Sequence, residues 1–232
     1  MLDRLLTRLR AARWANVVVV NLRILIGFAF VPAALKKILG EPFTDPANHG
    51  PFHDFLDAFH ATGTFYAFVG ALQLAAALLL STQRWAALGA ALALPILTVI
   101  GAFCWSTGVV ITSIVVTLMW LGTVGLLVWD LDRWRLLVAP GDRPRELRYA
   151  PPGARIDMQL WERCGLSLLL LYFGSVLARG GVYRPRGMEW SEPAFYVMPA
   201  MMLLPILTFV IDQRRRPTDR HRATRSARDA RA

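Results

Sequence analysis

The sequence is poor in the residues that carry redox and metal chemistry. Its 232 residues include only two cysteines, Cys104 and Cys164, and four histidines. The cysteines fall in apolar blocks and are expected at opposite membrane faces, so neither a disulfide nor dithiol chemistry is predicted. No pair of histidines lies in mid-membrane to ligate a haem, and no flavin or nucleotide fingerprint is present. The sequence therefore contains no complete catalytic constellation, and electrons would have to arrive from a partner protein.

Acidic residues are also scarce. The chain has 16 Asp and Glu against 26 Lys and Arg, a formal net charge of +10. Such a basic chain could bind nucleic acid, but its arginines flank apolar blocks or lie in the loops between them, where membrane topology accounts for them. We therefore expect no nucleic-acid partner, and membrane lipids are the expected contact.

Apolar residues, in contrast, are abundant and grouped. They make up 55% of the chain and concentrate in blocks of about twenty, the length that crosses a bilayer as a helix. The first block is longer than the apolar region of a signal peptide and has no clear small-residue cleavage site, so we expect it to remain as a span. The fold class predicted is an all-α integral membrane protein with about six transmembrane helices. The predicted spans are 17–37, 64–82, 86–105, 109–129, 161–179 and 193–212.

The segments between these spans divide the chain. Residues 1–16 are predicted to form a basic amphipathic helix on the cytoplasmic surface. Residues 17–132 would form a four-helix membrane bundle with an amphipathic outer loop at 38–63. A basic, proline-rich cytoplasmic linker at 133–160 would lead to two additional spans within 161–212. The arginine-rich residues 213–232 are predicted to be a disordered tail.

The basic residues also predict the orientation. Most lie at the N-terminus, in 82–85, in 130–163 and in the tail, which places these segments in the cytoplasm. Both termini are therefore expected to be cytoplasmic. The only basic residues in the predicted outer segments are Lys36, Lys37, Arg179, Arg184 and Arg186.

Arg23 lies inside the first predicted span. A charged residue near the centre of a membrane helix costs roughly 2.5–3.5 kcal/mol on insertion scales, so it usually faces protein or a wet cavity. Helical spacing places Arg23, Gly27, Ala34 and Lys37 on one face, where the small residues would let another helix approach. Snorkelling to the headgroups and a structural ion pair are alternative explanations for Arg23.

Gln73 is the predicted partner of Arg23. It shares a face of the second span with Tyr66, Gly70 and Ala77. Counted from the cytoplasmic ends of their spans, Arg23 and Gln73 differ in depth by roughly 5 Å, which an arginine side chain can bridge. Alternatively, Gln73 bonds to a backbone carbonyl or to a serine of another helix. The candidate ligand-binding residues are Arg23, Gln73, Lys37 and Tyr66.

The outer loop contains a second polar set. Its last part predicts a helix with an apolar stripe of Phe52, Phe55, Leu56 and Phe59. The opposite side carries polar residues that could hold a divalent metal ion. These residues are His53, Asp57 and His60, together with His49. Their spacing matches no recognised zinc signature, and the solvated face of an interfacial helix explains them equally well, so no metal site is assigned.

Short motifs in the first two spans resemble the DoxX-like family. They are Arg23-x-x-x-Gly27-x-x-Phe30 leading to Lys36, Lys37 and Gly40, then Phe-Val-Gly70-Ala-Leu-Gln73, then Leu-Leu-Leu80-Ser-Thr-Gln-Arg84. The resemblance covers about residues 17–135. Members of that family are four-helix bacterial membrane proteins, including the small subunit of thiosulfate:quinone oxidoreductase. The resemblance implies a multi-pass protein of the bacterial inner membrane that could bind a quinone.

The sequence departs from this family at Gln73, where members usually have a glutamate. A neutral amide can neither relay protons nor form an ion pair with Arg23. We therefore favour a non-catalytic membrane protein that binds a lipid or a quinone at a polar pocket of Arg23 and Gln73. The alternative is a membrane subunit of a quinone-linked oxidoreductase. Both functions are compatible with a redox or assembly partner protein. The sequence does not determine the oligomeric state.

Overall fold

The computed structural model describes residues 2–45, 47–132, 134, 156–179, 181–182 and 196–214. These residues form helices and no strands. The predicted tail lies outside the described residues apart from 213–214, and so does the predicted linker apart from residue 134 and 156–160. The helices are α1 (Leu2–Ala11), α2 (Arg13–Ile38), α3 (Pro51–Ala61), α4 (Thr64–Ser81), α5 (Ala86–Ser106), α6 (Val110–Trp129), α7 (Met158–Arg179) and α8 (Val197–Arg214).

Six of these helices, α2 and α4 to α8, are long and apolar enough to cross a membrane. The predicted all-α membrane fold is therefore confirmed. The main differences are at the N-terminus, where α1 ends at Ala11 and α2 begins four residues earlier than predicted. The Asn16 amide donates to the carbonyl oxygens of Arg10, at 2.8 Å, and Ala12, at 2.9 Å. This side chain satisfies carbonyl groups at the junction, which helps α2 to start so early.

The four helices α2, α4, α5 and α6 form a closed bundle. Helix α2 contacts α4 and α6, and α5 also contacts both, so each helix has two neighbours in the ring. Helices α7 and α8 pack against each other, and α7 also contacts α2 and α4. The C-terminal pair is thus attached to the bundle along the α2–α4 side.

The predicted small-residue faces of α2 and α4 meet. A Cβ added at Gly27 would lie 3.1 Å from the carbonyl oxygen of Ala77. One added at Gly70 would lie 2.8 Å from the carbonyl oxygen of Ala34 and 2.7 Å from Cβ of Lys37. The two backbones are therefore in direct contact, which only small residues permit.

These contacts also fix the register of the antiparallel pair. Gly27 lies level with the segment from Ala77 to Leu80, and Gly70 lies level with the segment from Ala34 to Ile38. The bundle consequently has an Arg23 end, where α4 and α6 end and α5 and α7 begin. At the opposite, Lys37 end, α2 ends and α4 begins.

Helix α3 lies across the Lys37 end, where the outer loop was predicted to contain an amphipathic helix. None of its residues is buried. Its apolar stripe nevertheless packs on the bundle: the rings of Phe52 and Phe55 lie 5.3 and 4.5 Å from that of Phe103. The ring of Phe59 lies 5.0 Å from that of Tyr66. Aromatic contacts therefore attach α3 to both α4 and α5.

We predict that Gly70→Ala destabilises the protein while Gly125→Ala does not. The new methyl group at Gly70 would collide with the backbone of α2, and such overpacking costs about 1–3 kcal/mol. At Gly125 nothing lies within 4 Å of an added Cβ, and alanine is the better helix former by roughly 0.5–1 kcal/mol. Thermal unfolding of both variants in the same detergent measures the difference. Equal melting temperatures would contradict the close α2–α4 contact.

Candidate functional site

Arg23 forms a buried ion pair at its end of the bundle. Its side-chain Nη2 donates to Oδ2 of Asp130 at 2.6 Å, and Nη1 donates to Oε1 of Gln83 at 3.4 Å. Asp130 directly follows α6, and Gln83 lies in the turn between α4 and α5. All three residues are at most 2% exposed. The prediction that Arg23 is paired with Gln73 is therefore wrong, and the structural ion pair is the alternative that the structure supports.

The register explains this correction. The prediction assumed that residues 17 and 82 lie at the same depth, but α2 extends well past the end of α4. Arg23 itself is level with the end of α4, whereas Gln73 is level with Ala33 and Ala34. Ten residues of helix, or roughly 15 Å, separate these two levels. Gln73 is only 2% exposed, and its Oε1 atom has no hydrogen-bond partner among the described residues.

Two further ion pairs lie at the same end. Arg10 pairs with Asp132 and also donates to the carbonyl oxygen of Trp129. Arg13 donates to Oδ2 of Asp212 at 2.9 Å, which ties the start of α2 to the end of α8. We call these pairs, with Arg23 and Asp130, the ion-pair layer. Its arginines come from α1 and α2, and its acids follow α6 or lie in α8.

The ion-pair layer holds helices together. The guanidinium group of Arg23 donates to the carboxylate of Asp130 and to the amide of Gln83, and both residues are distant from Arg23 in the sequence. A buried carboxylate and guanidinium satisfy each other in a short, charge-assisted bond. The arrangement therefore fixes the positions of α2, α4, α6 and α8 relative to one another.

Lys37 and Tyr66 come together at the opposite end. Lys37 is 7% exposed, and its Nζ atom donates to the carbonyl oxygen of Ala33 at 3.2 Å. The same atom lies 4.7 Å from the centroid of the Phe43 ring and 5.7 Å from that of Tyr66. We call Lys37, Phe43 and Tyr66 the lysine site. The ammonium group is thus surrounded by a carbonyl oxygen and two aromatic faces, which attract a cation.

The surrounding loop holds the lysine site in shape. The hydroxyl group of Tyr66 donates to the backbone oxygen of Glu41 at 3.0 Å, which fixes the ring and the chain just after α2. The ring of His60, from α3, lies 5.2 Å from that of Tyr66. The site is therefore built from the end of α2, the loop that follows α2, helix α3 and the start of α4.

The four predicted ligand-binding residues do not share one pocket. Lys37 and Tyr66 are neighbours, but Gln73 lies about two turns further along α4 from Tyr66. Arg23 lies roughly 21 Å along α2 from Lys37, since fourteen residues separate them. The predicted polar pocket of Arg23 and Gln73 is consequently replaced by an ion-pair layer at one end and the lysine site at the other.

The four candidate metal ligands are not assembled either. Nε2 of His60 lies 3.0 Å from the carbonyl oxygen of Gly40, and Oδ1 of Asp57 accepts a 2.7 Å hydrogen bond from Thr44. Neither His49 nor His53 joins them: no group of three or more His, Cys, Asp or Glu side chains that could hold a metal ion occurs in the described ranges. Hydrogen bonds within the loop account for Asp57 and His60 on the polar side of α3. Both cysteines are free and buried.

Sequence reasoning assigned none of Asp130, Gln83 and Phe43 to a site. Asp130 had a usable signal, because a buried arginine calls for a carboxylate and acids follow or end several of the helices at the Arg23 end. Gln83 becomes predictable once the glycine contacts fix the register of α2 and α4. Phe43 had no signal, since its position over Lys37 depends on how the loop after α2 folds back.

Comparison with protein-family models, with curated proteins and with solved structures found no match to the chain. The resemblance to the DoxX-like family therefore rests on the short motifs of the first two spans.

We predict that Arg23→Met and Asp130→Leu each reduce the free energy of unfolding by about 3–5 kcal/mol, because each leaves one buried charge without its partner. The double variant should recover most of this loss, since neither charge remains. A double-mutant cycle of denaturant unfolding in detergent measures the coupling. Arg84→Met, which removes an exposed charge near the same end, is the control. Losses that simply add in the double variant would contradict the ion pair.

Proposed function

We propose that the protein is a non-catalytic, multi-pass membrane protein that binds a small amphiphile, a lipid or a quinone, at the lysine site. One observation carries this proposal. Lys37 is a nearly buried cation that bonds to a backbone carbonyl oxygen and lies against two aromatic rings, and no acid forms a salt bridge with it in the described part of the chain. Arg23 differs in this respect, because it forms an ion pair with the carboxylate of Asp130.

The donor groups of Lys37 support a ligand. A lysine ammonium has three N–H donors, and the carbonyl oxygen of Ala33 takes one of them. The two aromatic faces stabilise the charge but are weak acceptors for the remaining N–H groups. A buried charge is costly unless it is paired or hydrogen-bonded. An oxygen of a ligand would complete the coordination of the ammonium group.

The neighbouring surface suits an amphiphile. Three large apolar side chains close to the lysine site in sequence are more than half exposed: Leu39, Phe65 and Phe68. A ligand with its polar end at Lys37 could therefore lay an apolar tail along the membrane-facing side of α4. A mostly apolar surface with a few placed polar groups is the usual composition of such sites.

The likeness to DoxX-like proteins and the distribution of basic residues complete the proposal. They support a location in the bacterial inner membrane, with the Arg23 end toward the cytoplasm and the Lys37 end outside. If the protein is instead a membrane subunit of a quinone-linked oxidoreductase, the same site would hold the quinone, and a partner protein would supply the electrons.

We predict that the purified protein retains about one equivalent of a lipid or quinone that depends on Lys37. Lys37→Met keeps the length and apolar volume of the side chain but removes its donors, so the bound amphiphile should fall at least threefold. Organic extraction followed by mass spectrometry measures the stoichiometry and identifies the molecule. A retained quinone would favour the oxidoreductase subunit.

Arg84→Met is the matched control, because it removes an exposed cation at the opposite end of the bundle. It should leave the retained amphiphile unchanged. Equal retention by wild type and Lys37→Met, at equal melting temperatures, would rule out the lysine site as the binding site.

A further inference from the structure

We infer that the ligand of the lysine site carries a hydroxyl group that accepts a hydrogen bond from Lys37 and donates one to Gln73. This inference rests on the proposed function and names the chemical class of the ligand. It is carried by two buried polar groups at one depth of the bundle. They are the ammonium group of Lys37 and the amide oxygen of Gln73, which lacks a hydrogen-bond partner among the described residues.

The polar ends of Lys37 and Gln73 approach the same depth. The side chain of Lys37 runs back along α2, because its Nζ atom donates to the carbonyl oxygen of Ala33, one turn earlier. The glycine contacts place Gln73 level with Ala33. A helical side chain leans toward the start of its own helix, and α4 starts at the Lys37 end. The amide group of Gln73 therefore leans toward the ammonium group, although Gln73 lies two turns from Tyr66.

Both side chains also point toward the inside of the ring of four helices. Ile26 is 1% exposed and packs against α6, and Leu80 is 0% exposed and packs against α5. Lys37 follows Ile26 by eleven residues, about three turns, and so lies on the same face of α2. Gln73 precedes Leu80 by seven residues, about two turns, and shares its face of α4. The two polar groups thus lie on the inner side of the α2–α4 contact.

Neither group satisfies the other. No hydrogen bond joins Lys37 to Gln73 in the part of the chain that the structure describes. The hydroxyl group of Tyr66 already donates to the backbone oxygen of Glu41. A buried amide oxygen without a donor is costly, and an ammonium group with one acceptor has N–H groups to spare. A third group between them would satisfy both.

A hydroxyl group meets both requirements. Its oxygen accepts from the ammonium group of Lys37, and its O–H donates to the amide oxygen of Gln73. The carbonyl oxygen of a quinone and the oxygen of an ether only accept, so they would leave Gln73 without a donor. Two kinds of amphiphile carry the required group: a lipid with a free glycerol hydroxyl and a quinol, the reduced form of a quinone.

The experiment measures the binding of two matched pairs of probes to the full-length protein in a neutral detergent, by native mass spectrometry. One pair is monoolein and its dimethyl ether, and the other is ubiquinol and ubiquinone. We expect the hydroxyl-bearing member of at least one pair to bind about fivefold more tightly than its partner, the effect of one hydrogen bond. The pair that shows this preference identifies the source of the hydroxyl group.

Gln73→Met keeps the length of the side chain but removes the acceptor. It should abolish the preference by weakening the hydroxyl-bearing probe alone, with binding of the ether or the quinone unchanged. Thr123→Val is the matched control, because the hydroxyl group of Thr123 is buried but bonds to the carbonyl oxygen of Met119 in its own helix. The control should keep the preference. The comparison within each pair on the wild type tests the inference even if Gln73→Met does not fold.

The outcomes separate this inference from the proposed function. Equal binding within both pairs by the wild type overturns the inference, and a water molecule between Lys37 and Gln73 would give that result. A preference that persists in Gln73→Met also overturns it. If either occurs while binding of the probes still depends on Lys37, amphiphile binding at the lysine site stands. Binding that is the same in Lys37→Met, or absent for all four probes, overturns both proposals.

Discussion

The ion pair between Arg23 and Asp130 is the constraint on which the arrangement of the helices depends. A charge inside an apolar bundle must meet its counterion, so only one depth of α2 relative to the end of α6 is allowed. The hydrogen bond to Gln83 fixes the turn between α4 and α5 at the same level. Buried pairs of this kind contribute little net stability because desolvation offsets attraction. We therefore attribute to the pair the choice of register, while the close contact of small residues supplies the packing.

The helices could be predicted from the sequence, but their depths relative to one another could not. Apolar length determines where a span lies, and the small residues Gly27 and Gly70 indicated which faces would meet. The depth of one helix relative to another is harder to predict. Apolar side chains along a lipid-facing helix resemble one another, so they do not show which residues of two helices lie at the same level. Counting from the predicted ends placed Gln73 beside Arg23. The contacts of the two glycines place it roughly 15 Å away.

Helix α2 carries two buried cations with different surroundings. Arg23 faces a carboxylate from a distant helix, whereas Lys37 faces a carbonyl oxygen and two rings. Both residues were recognised in the sequence, yet their roles could not be separated there. The surroundings of Arg23 depend on register, and those of Lys37 depend on the loop that brings Phe43 back over the end of α2. Neither property follows from helical periodicity.

The contact between Arg13 and Asp212 has a consequence for biogenesis. The two residues are 199 positions apart in the chain. A ribosome makes α2 long before α8, so Arg13 enters the membrane surface without its counterion and is covered there by water or lipid phosphate. The hydrogen bond from the backbone N–H of Asp157 to the Asp212 carboxylate also forms only after α8 has been made. The insertion of α8 is thus the step that closes the ion-pair layer, and this layer is complete only after α8 has been translated.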